Sequence, residues 1–196
     1  GGAATAQLLL GVVSEYLGVY DEALSHMQRA LKLHESLDGS SEIALTRYHI
    51  GCVYLRQEAW QAAANELLAA RATFAERARL KPYVPLPEID AALAVVDLHK
   101  GRYMSALERA NGAVFRLSQQ HIRNLYRPTM TALFAAQVLI ANGEADRARQ
   151  LAQAMRAALA RTLAWLDQHG GREAFLRQIW YNAELFSLIS EQPSSP

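Results

Sequence analysis

The stretch GVVSEYLGVYDEALSHMQRA, residues 11–30, decides the fold. A small residue, Gly11, is followed by a glycine at +7 (Gly18), an aromatic at +9 (Tyr20), and Ala23, Met27 and Ala30 at +12, +16 and +19. Apolar residues three and four apart mark one face of an amphipathic helix, and a glycine followed by Tyr20-Asp21 breaks the helix before it. The segment therefore reads as a helix, a tight turn and a second helix.

Working outward, the same offsets return three times. GCVYLRQEAWQAAANELLAA, residues 51–70, carries Gly51, Trp60, Ala63, Leu67 and Ala70 in register. Residues 94–113 carry Ala94, Gly101, Tyr103, Ala106, Ala110 and Ala113. Residues 136–155 carry Ala136, Gly143, Ala145, Ala148, Ala152 and Met155. The anchors advance by 40, 43 and 42 residues. Small residues at the anchor and at +12 let the two helices of a pair approach closely, and the +9 aromatic fills space beside the turn. Each pair leaves an apolar face uncovered, so stacking the pairs buries a continuous core.

The pattern, over about residues 3–160, resembles the tetratricopeptide repeat in a long form of about 40 residues. That resemblance implies an all-α, right-handed superhelix of antiparallel helix pairs. Departures are visible: Ser14, Asp97 and Leu139 stand where the family often has an aromatic, Glu58 replaces a turn glycine, and Ala145 replaces the fourth +9 aromatic. The stretches 128–145 and 172–185 further resemble the C-terminal repeat regions of bacterial LuxR/MalT-like and AfsR-like ATP-dependent regulators.

The breaks predict nine helices, at about 3–17, 21–37, 41–56, 60–80, 87–100, 103–122, 128–141, 144–168 and 172–190, with Ser41 as an N-cap. Residues 3–190 are expected to form one domain, with repeats at about 3–37, 41–80, 87–122 and 128–168, a capping helix at 172–190 and a flexible tail at 191–196. The composition agrees. Hydrophobic residues make up 51% and charged residues 20% of 196 residues, which suits a folded chain rather than a disordered one. Alanine, leucine, arginine, glutamine and glutamate dominate, all strong helix formers. No run of 18 apolar residues occurs, so no membrane-spanning helix is expected. No signal peptide is visible, and the expected location is cytoplasmic.

Function is read mainly by exclusion. A net charge of +1 argues against a nucleic-acid-binding module, which would carry a basic stripe. There is no phosphate loop, no nucleophile elbow and no His-Glu-x-x-His helix. The six histidines are scattered, and the lone Cys52 reads as a packing residue, so no metal site, cofactor or catalytic centre is expected. Glu15, Glu88 and Asp97 read as interhelical or solvated polar residues. Charge is uneven: residues 1–97 carry −4 and residues 98–196 carry +5. Arg102, Arg109, Arg116, Arg123 and Arg127 fall on one side of the sixth helix and its exit, a solvated face or a seat for an acidic partner.

In the family the first helix of each pair lines the inner groove. The groove-facing offsets −3, +1 and +5 give Leu8, Val12 and Tyr16; Tyr48, Cys52 and Arg56; Ala91, Val95 and His99; and Leu133, Gln137 and Ala141. Of these, Leu8, Val12, Tyr16, Tyr48, Arg56, Val95, His99 and Gln137 are the candidate partner-binding residues. The Lys and Asn clamp that receptors of this family use for a peptide carboxylate is absent. The expectation is a non-enzymatic module that binds a protein or peptide segment within a larger bacterial regulator, with homo-oligomer formation open. The alternative is a domain that senses a small-molecule or peptide effector.

Overall fold

The computed structural model describes residues 1–37, 39–77, 85–119 and 127–190. Ten α-helices occur among them: α1 (Gly2–Tyr16), α2 (Tyr20–Glu35), α3 (Ser40–Arg56), α4 (Trp60–Arg77), α5 (Leu86–His99), α6 (Tyr103–Gln119), α7 (Pro128–Ala141), α8 (Ala145–Ala158), α9 (Ala160–Gln168) and α10 (Trp180–Ser190). A single π-helical turn, Ala174–Gln178, precedes α10. No strand is present among the described residues.

The chain is an all-α stack of antiparallel helix pairs, α1/α2, α3/α4, α5/α6 and α7/α8. Each second helix also packs on the first helix of the next pair. The first helices α1, α3, α5 and α7 touch one another in series and form the inner layer. A core of buried residues runs from Ala44 on α3 to Phe186 on α10, and a smaller cluster joins α1, α2 and α3.

The repeat offsets have a direct steric meaning. A Cβ on Gly11 would lie 2.6 Å from Met27 Cγ and 3.0 Å from the Ala23 carbonyl oxygen. On Gly51 it would lie 2.7 Å from Leu67 Cγ. The anchor therefore meets its own +12 and +16 positions across the helix pair. Ala23, Ala63, Ala106 and Ala148, all at +12, are fully buried.

The turns are built alike. Val19, Ala59, Arg102 and Glu144 each donate a backbone N–H to a carbonyl five residues back, at 2.8–2.9 Å. Bonds of this span close a helix around a residue in the left-handed region. Gly18, Gly101 and Gly143 occupy it at φ 76°, 70° and 80°. In the second repeat Glu58 takes the same place at φ 58°, where a side chain is strained.

The expected boundaries differ in several places. The helix expected at 144–168 is two, α8 and α9, broken at Leu159. The capping helix expected at 172–190 divides into the π-helical turn and α10, with Ile179 extended between them (ψ 106°). The N-cap of α3 is Gly39, so Ser41 lies inside the helix. The expected ends at residues 80 and 122 and the tail at 191–196 lie outside the described residues.

Two substitutions test this register. Glu58→Gly relieves the left-handed strain and should raise unfolding stability by about 1 kcal/mol in a urea titration. Ala63→Leu should lower it by about 1–3 kcal/mol, because the added methylenes have no space at the crossing.

Candidate functional site on the concave face

The inner layer holds a polar group that spans the array. Glu15, near the end of α1, and Arg127, just before α7, are both almost fully buried. Arg127 donates Nη1 to Glu15 Oε1 at 2.9 Å and Nη2 to Oε2 at 3.1 Å, a two-pronged pair between residues 112 positions apart. His49 on α3 brings Nδ1 to 3.7 Å from Glu15 Oε2, and its ring tilts against Tyr48 at 5.3 Å. The first, second and fourth repeats thus meet at one carboxylate.

Burial pushes the Glu15 carboxyl up. The Arg127 charge and hydrogen bonds, with His49 close by, outweigh it and hold the pKa at about 2. Burial, reinforced by the Arg127 charge, pushes His49 below its ordinary value. Burial drives the Cys52 thiol up to about 12, with Glu15 adding to it, so this cysteine packs and does not act as a thiolate nucleophile.

A chain of rings and cations leads outward from the pair. The Arg127 guanidinium lies 5.0 Å from the Tyr16 ring centroid, and the Tyr16 hydroxyl is 3.3 Å from that of Tyr181 on α10. Tyr181 meets Trp180 edge-on at 5.4 Å. The Arg56 guanidinium lies 3.9 Å from the Trp180 ring centroid. Arg56 also donates to the Tyr20 hydroxyl (Nε, 3.3 Å) and to Glu184 (Nη1, 3.4 Å). Phe134 of α7 tilts against Trp180 at 6.3 Å. The chain's own last helix is therefore seated on the rim formed by Tyr16, Arg56 and Phe134.

The eight candidate groove residues separate into three groups. Leu8, Val12, Tyr48 and Val95 are buried core side chains. Tyr48 is fully enclosed, out of a partner's reach. Tyr16 and Arg56 meet beneath α10, as described. His99 and Gln137 stand apart from them; His99 is exposed and stacks on Trp60 at 3.8 Å with the planes 8° apart, and Gln137 is half-buried.

One rule explains the +5 positions. The +9 aromatic of one repeat meets the +5 residue of the next: Tyr20 with Arg56, and Trp60 with His99. Where the fourth repeat offers Ala141 at +5, Tyr103 stays exposed. These residues therefore join repeats as well as lining a rim.

The basic row of α6 has a structural use. Arg109 and Arg116 donate to Asp90 of α5, and Arg71 of α4 joins them at 2.6 Å. Asp97 accepts from Ser105 and Arg109 and pairs with Arg102 at 3.0 Å. This side, read as a solvated face or a seat for an acidic partner, is engaged at Arg102, Arg109 and Arg116 by the chain's own aspartates. Arg123 lies outside the described residues.

Sequence reasoning did not find Glu184, and it set Arg127 in the basic row at the exit of the sixth helix, whereas the side chain is buried against Glu15. Arg127 and the last helix fall outside the repeat register, so offset arithmetic passes over them. A signal for Glu15 was present: it stands at +4, where the other repeats carry Leu55, Leu98 and Ile140.

Among the described residues no group of three or more His, Cys, Asp or Glu side chains is placed to hold a metal ion. No described helix is long and apolar enough to cross a membrane.

The buried pair sets the response to mutation and to acid. Arg127→Met leaves Glu15 buried without its cation and should cost about 3–5 kcal/mol, while adding Glu15→Leu should restore most of the loss. Acid should also destabilise the chain. The folded Glu15 pKa lies below its ordinary 4.5, so its contribution is full above pH 4.5 and is lost as pH falls toward 2, about 3 kcal/mol in all. His49, lowered from 6.5, acts in the same direction below pH 6.5, because the unfolded chain takes up the proton first. Urea midpoints between pH 7 and pH 3 should fall for the parent and flatten below pH 4.5 in the Glu15→Leu/Arg127→Met chain.

Comparison with known proteins places this architecture. Residues 2–76 match the sequence profile of the family described as "Tetratricopeptide repeat". No curated protein sequence matches the chain. Among solved structures, BtubC (BKLC) from P. vanneervenii superposes with a TM-score of 0.61 at 17% identity, over 78% of this chain and 64% of that one. The chain thus spans somewhat less than two thirds of that protein's length. A putative kinesin light chain with nearly identical TPR-like repeats from Podosopora anserina superposes with a TM-score of 0.58 at 15% identity, over 97% of both chains. A singly substituted form of that putative kinesin light chain gives 0.58 at 19% identity, over 95% of this chain and 91% of that one. The first two helix pairs therefore carry the sequence signature of the tetratricopeptide repeat, and the chain as a whole has the fold of a TPR-like helical stack.

Proposed function

We propose that this chain is a non-enzymatic scaffold that holds a protein segment on the concave rim at Tyr16 and Arg56. Tetratricopeptide repeats generally mediate protein–protein interaction. The observation that carries the finer reading is the seating of α10. Trp180 lies against Arg56, Tyr181 against Tyr16, and Glu184 one turn on pairs with Arg56. The rim accepts a helix that presents an aromatic pair and a carboxylate. Arginine and tyrosine dominate interface energetics because they bring large area and directional hydrogen bonds. The setting of a larger bacterial transcription or signalling regulator rests on the likeness of stretches 128–145 and 172–185 to such proteins.

The test is photo-crosslinking from position 16 or 56 in cells that express the chain. Crosslinks to another protein from these positions, and none from the outward-facing position 22, are expected. Tyr16→Ala with Arg56→Ala should weaken capture of that protein at least about tenfold, roughly 1.4 kcal/mol, with helical content unchanged. Crosslinks from position 22 alone, or undiminished capture by the double variant, would remove the rim from consideration.

The effector-sensing alternative has one observation in its favour. An open cleft of about 900 Å³ lies between α6, α8 and the start of α9, lined by Val114, Leu117, Leu151 and Met155 with Arg147 and Arg161. Apolar walls with two cations suit a small amphipathic anion. Such a ligand should raise the melting temperature, and Arg161→Ala should abolish the shift.

A further inference from the structure

The helix pairs share one polar contact, between the residue at −4 from the anchor and the residue at +15. In the first pair Gln7 Oε1 lies 2.8 Å from His26 Nδ1. In the second, Arg47 lies 3.2 Å from Glu66 and 3.6 Å from Glu35 of the preceding pair, so one cation stands between two carboxylates. The third pair is loaded the other way. Asp90 accepts from Arg109 at 3.4 Å, from Arg116 at 2.8 Å and from Arg71 of the preceding pair at 2.6 Å. Asp97, two turns along α5, takes Arg109 at 2.9 Å and Arg102 at 3.0 Å. Four guanidiniums thus share two carboxylates, and two positive charges are left over. In the fourth pair Val114, Leu151 and Ala158 hold the places of Arg71, Arg109 and Arg116, and Ala132 that of Asp90. The repeat packs with a neutral contact, an acidic surplus or apolar residues at this position, so packing does not require the arginine surplus.

We infer that Arg71 and Arg116, held on the two oxygens of Asp90, bind the phosphate dianion of a phosphorylated protein segment. The aspartate side chains are 8–9% exposed, and those of the four arginines 29–55%, so the carboxylates form a buried floor under accessible cations. A guanidinium has five N–H donors. Arg71 gives Asp90 only its Nε and Arg116 only its Nη1, which keeps both Nη of Arg71 and Nη2 of Arg116 for a further acceptor. The floor has already fixed these long side chains, so a ligand spends less conformational entropy in ordering them. A phosphate monoester brings about two negative charges and three acceptor oxygens, which match the surplus and the two forks. A carboxylate would neutralise half of it. A nucleic-acid backbone would need cations that follow it along a groove. Here the charge changes sign at the second pair and gives way to apolar residues at the fourth. The site uses no side chain of the rim at Tyr16 and Arg56 and is a second binding surface.

Titration of the isotope-labelled 196-residue chain, followed at the arginine Nε–H signals, tests this. The probes are inorganic phosphate, the peptide acetyl-Ala-Ala-phosphoSer-Ala-Ala-amide, the same peptide with Ser or Glu at its centre, and a thymidine decamer. The phosphorylated peptide and inorganic phosphate should shift the Arg71 and Arg116 signals and saturate in the millimolar range. The Ser peptide should leave them still, and the Glu peptide should bind at least about tenfold more weakly. Arg71→Lys with Arg116→Lys keeps the charge but loses the fork, and should weaken the phosphorylated peptide at least about fivefold with an unchanged circular dichroism spectrum. If that pair loses helical content, Arg116→Lys alone carries the comparison. Arg29→Gln with Arg156→Gln, both at exposed positions elsewhere, should change binding by less than about twofold in physiological salt. Signals that stay still with the phosphorylated peptide overturn the proposal, as does a Glu peptide that binds equally well. So does a loss from the Arg29 and Arg156 changes as large as that from the local pair. Binding of inorganic phosphate without the phosphorylated peptide, or tighter binding of the decamer, would also overturn it, in favour of a free anion or a nucleic acid.

Discussion

The buried contact between Glu15 and Arg127 is the constraint on which the shape of the array depends. Helix pairs stacked one on the next set only local geometry, and small changes in crossing angle accumulate along a solenoid. A two-pronged ion pair between the first and fourth repeats removes that freedom. It demands that the end of α1 and the start of α7 meet to within hydrogen-bond distance, away from water. Taking both charges out of water is costly, and an apolar pair of similar volume can be as stable. What the ion pair adds is direction, since a guanidinium fork fits a carboxylate in few orientations. The curvature of the inner layer is thereby tied to one distance, and His49 and Tyr16 are held where the pair leaves them.

The rim and the joints between repeats share side chains. Arg56 stands between Tyr20 on one side and Trp180 and Glu184 on the other. Cation–aromatic contacts of this kind contribute about 0.5–2 kcal/mol, depending on how far they are desolvated. His99 on Trp60 repeats the arrangement one repeat later. The joints between these repeats therefore draw on the same +9 and +5 positions.

The repeat was legible because its physics is local. Gly11 and Gly51 meet their own +12 and +16 partners within one helix pair, so fixed offsets in the sequence carry the fold. The turn at Glu58 shows how firmly the pattern acts: a residue poorly suited to a left-handed conformation adopts it because the register on either side requires it. The candidate site was legible only in part. Tyr16 and Arg56 stay partly exposed beside α10, whereas Leu8, Val12, Tyr48 and Val95 are taken up by packing. The inner layer is closed by long-range contacts, Glu15 with Arg127 and Tyr16 with Tyr181, and no periodicity reports a pairing across more than 100 positions. The arginine row of α6 misleads for the same reason, since its spacing is visible and its aspartate partners on α5 are not.

The last helix shows how the array departs from its own repeat to make the rim. The chain breaks at Leu159, passes through a π-helical turn and is extended at Ile179 before α10 starts. Asn182 Nδ2 donates to the Phe175 carbonyl at 2.8 Å, which fixes the turn against the helix that follows. The outcome is a helix in the place of a further first helix, but carrying Trp180 and Tyr181 at its beginning rather than an aromatic at +9. Those rings fall over Arg56 and Tyr16 instead of beside the next turn. Leu185 and Phe186 enter the core and anchor α10, while Trp180 and Glu184 remain at the half-buried edge. The same helix is thus divided between an anchored apolar side and a polar–aromatic side that meets Arg56 and Tyr16.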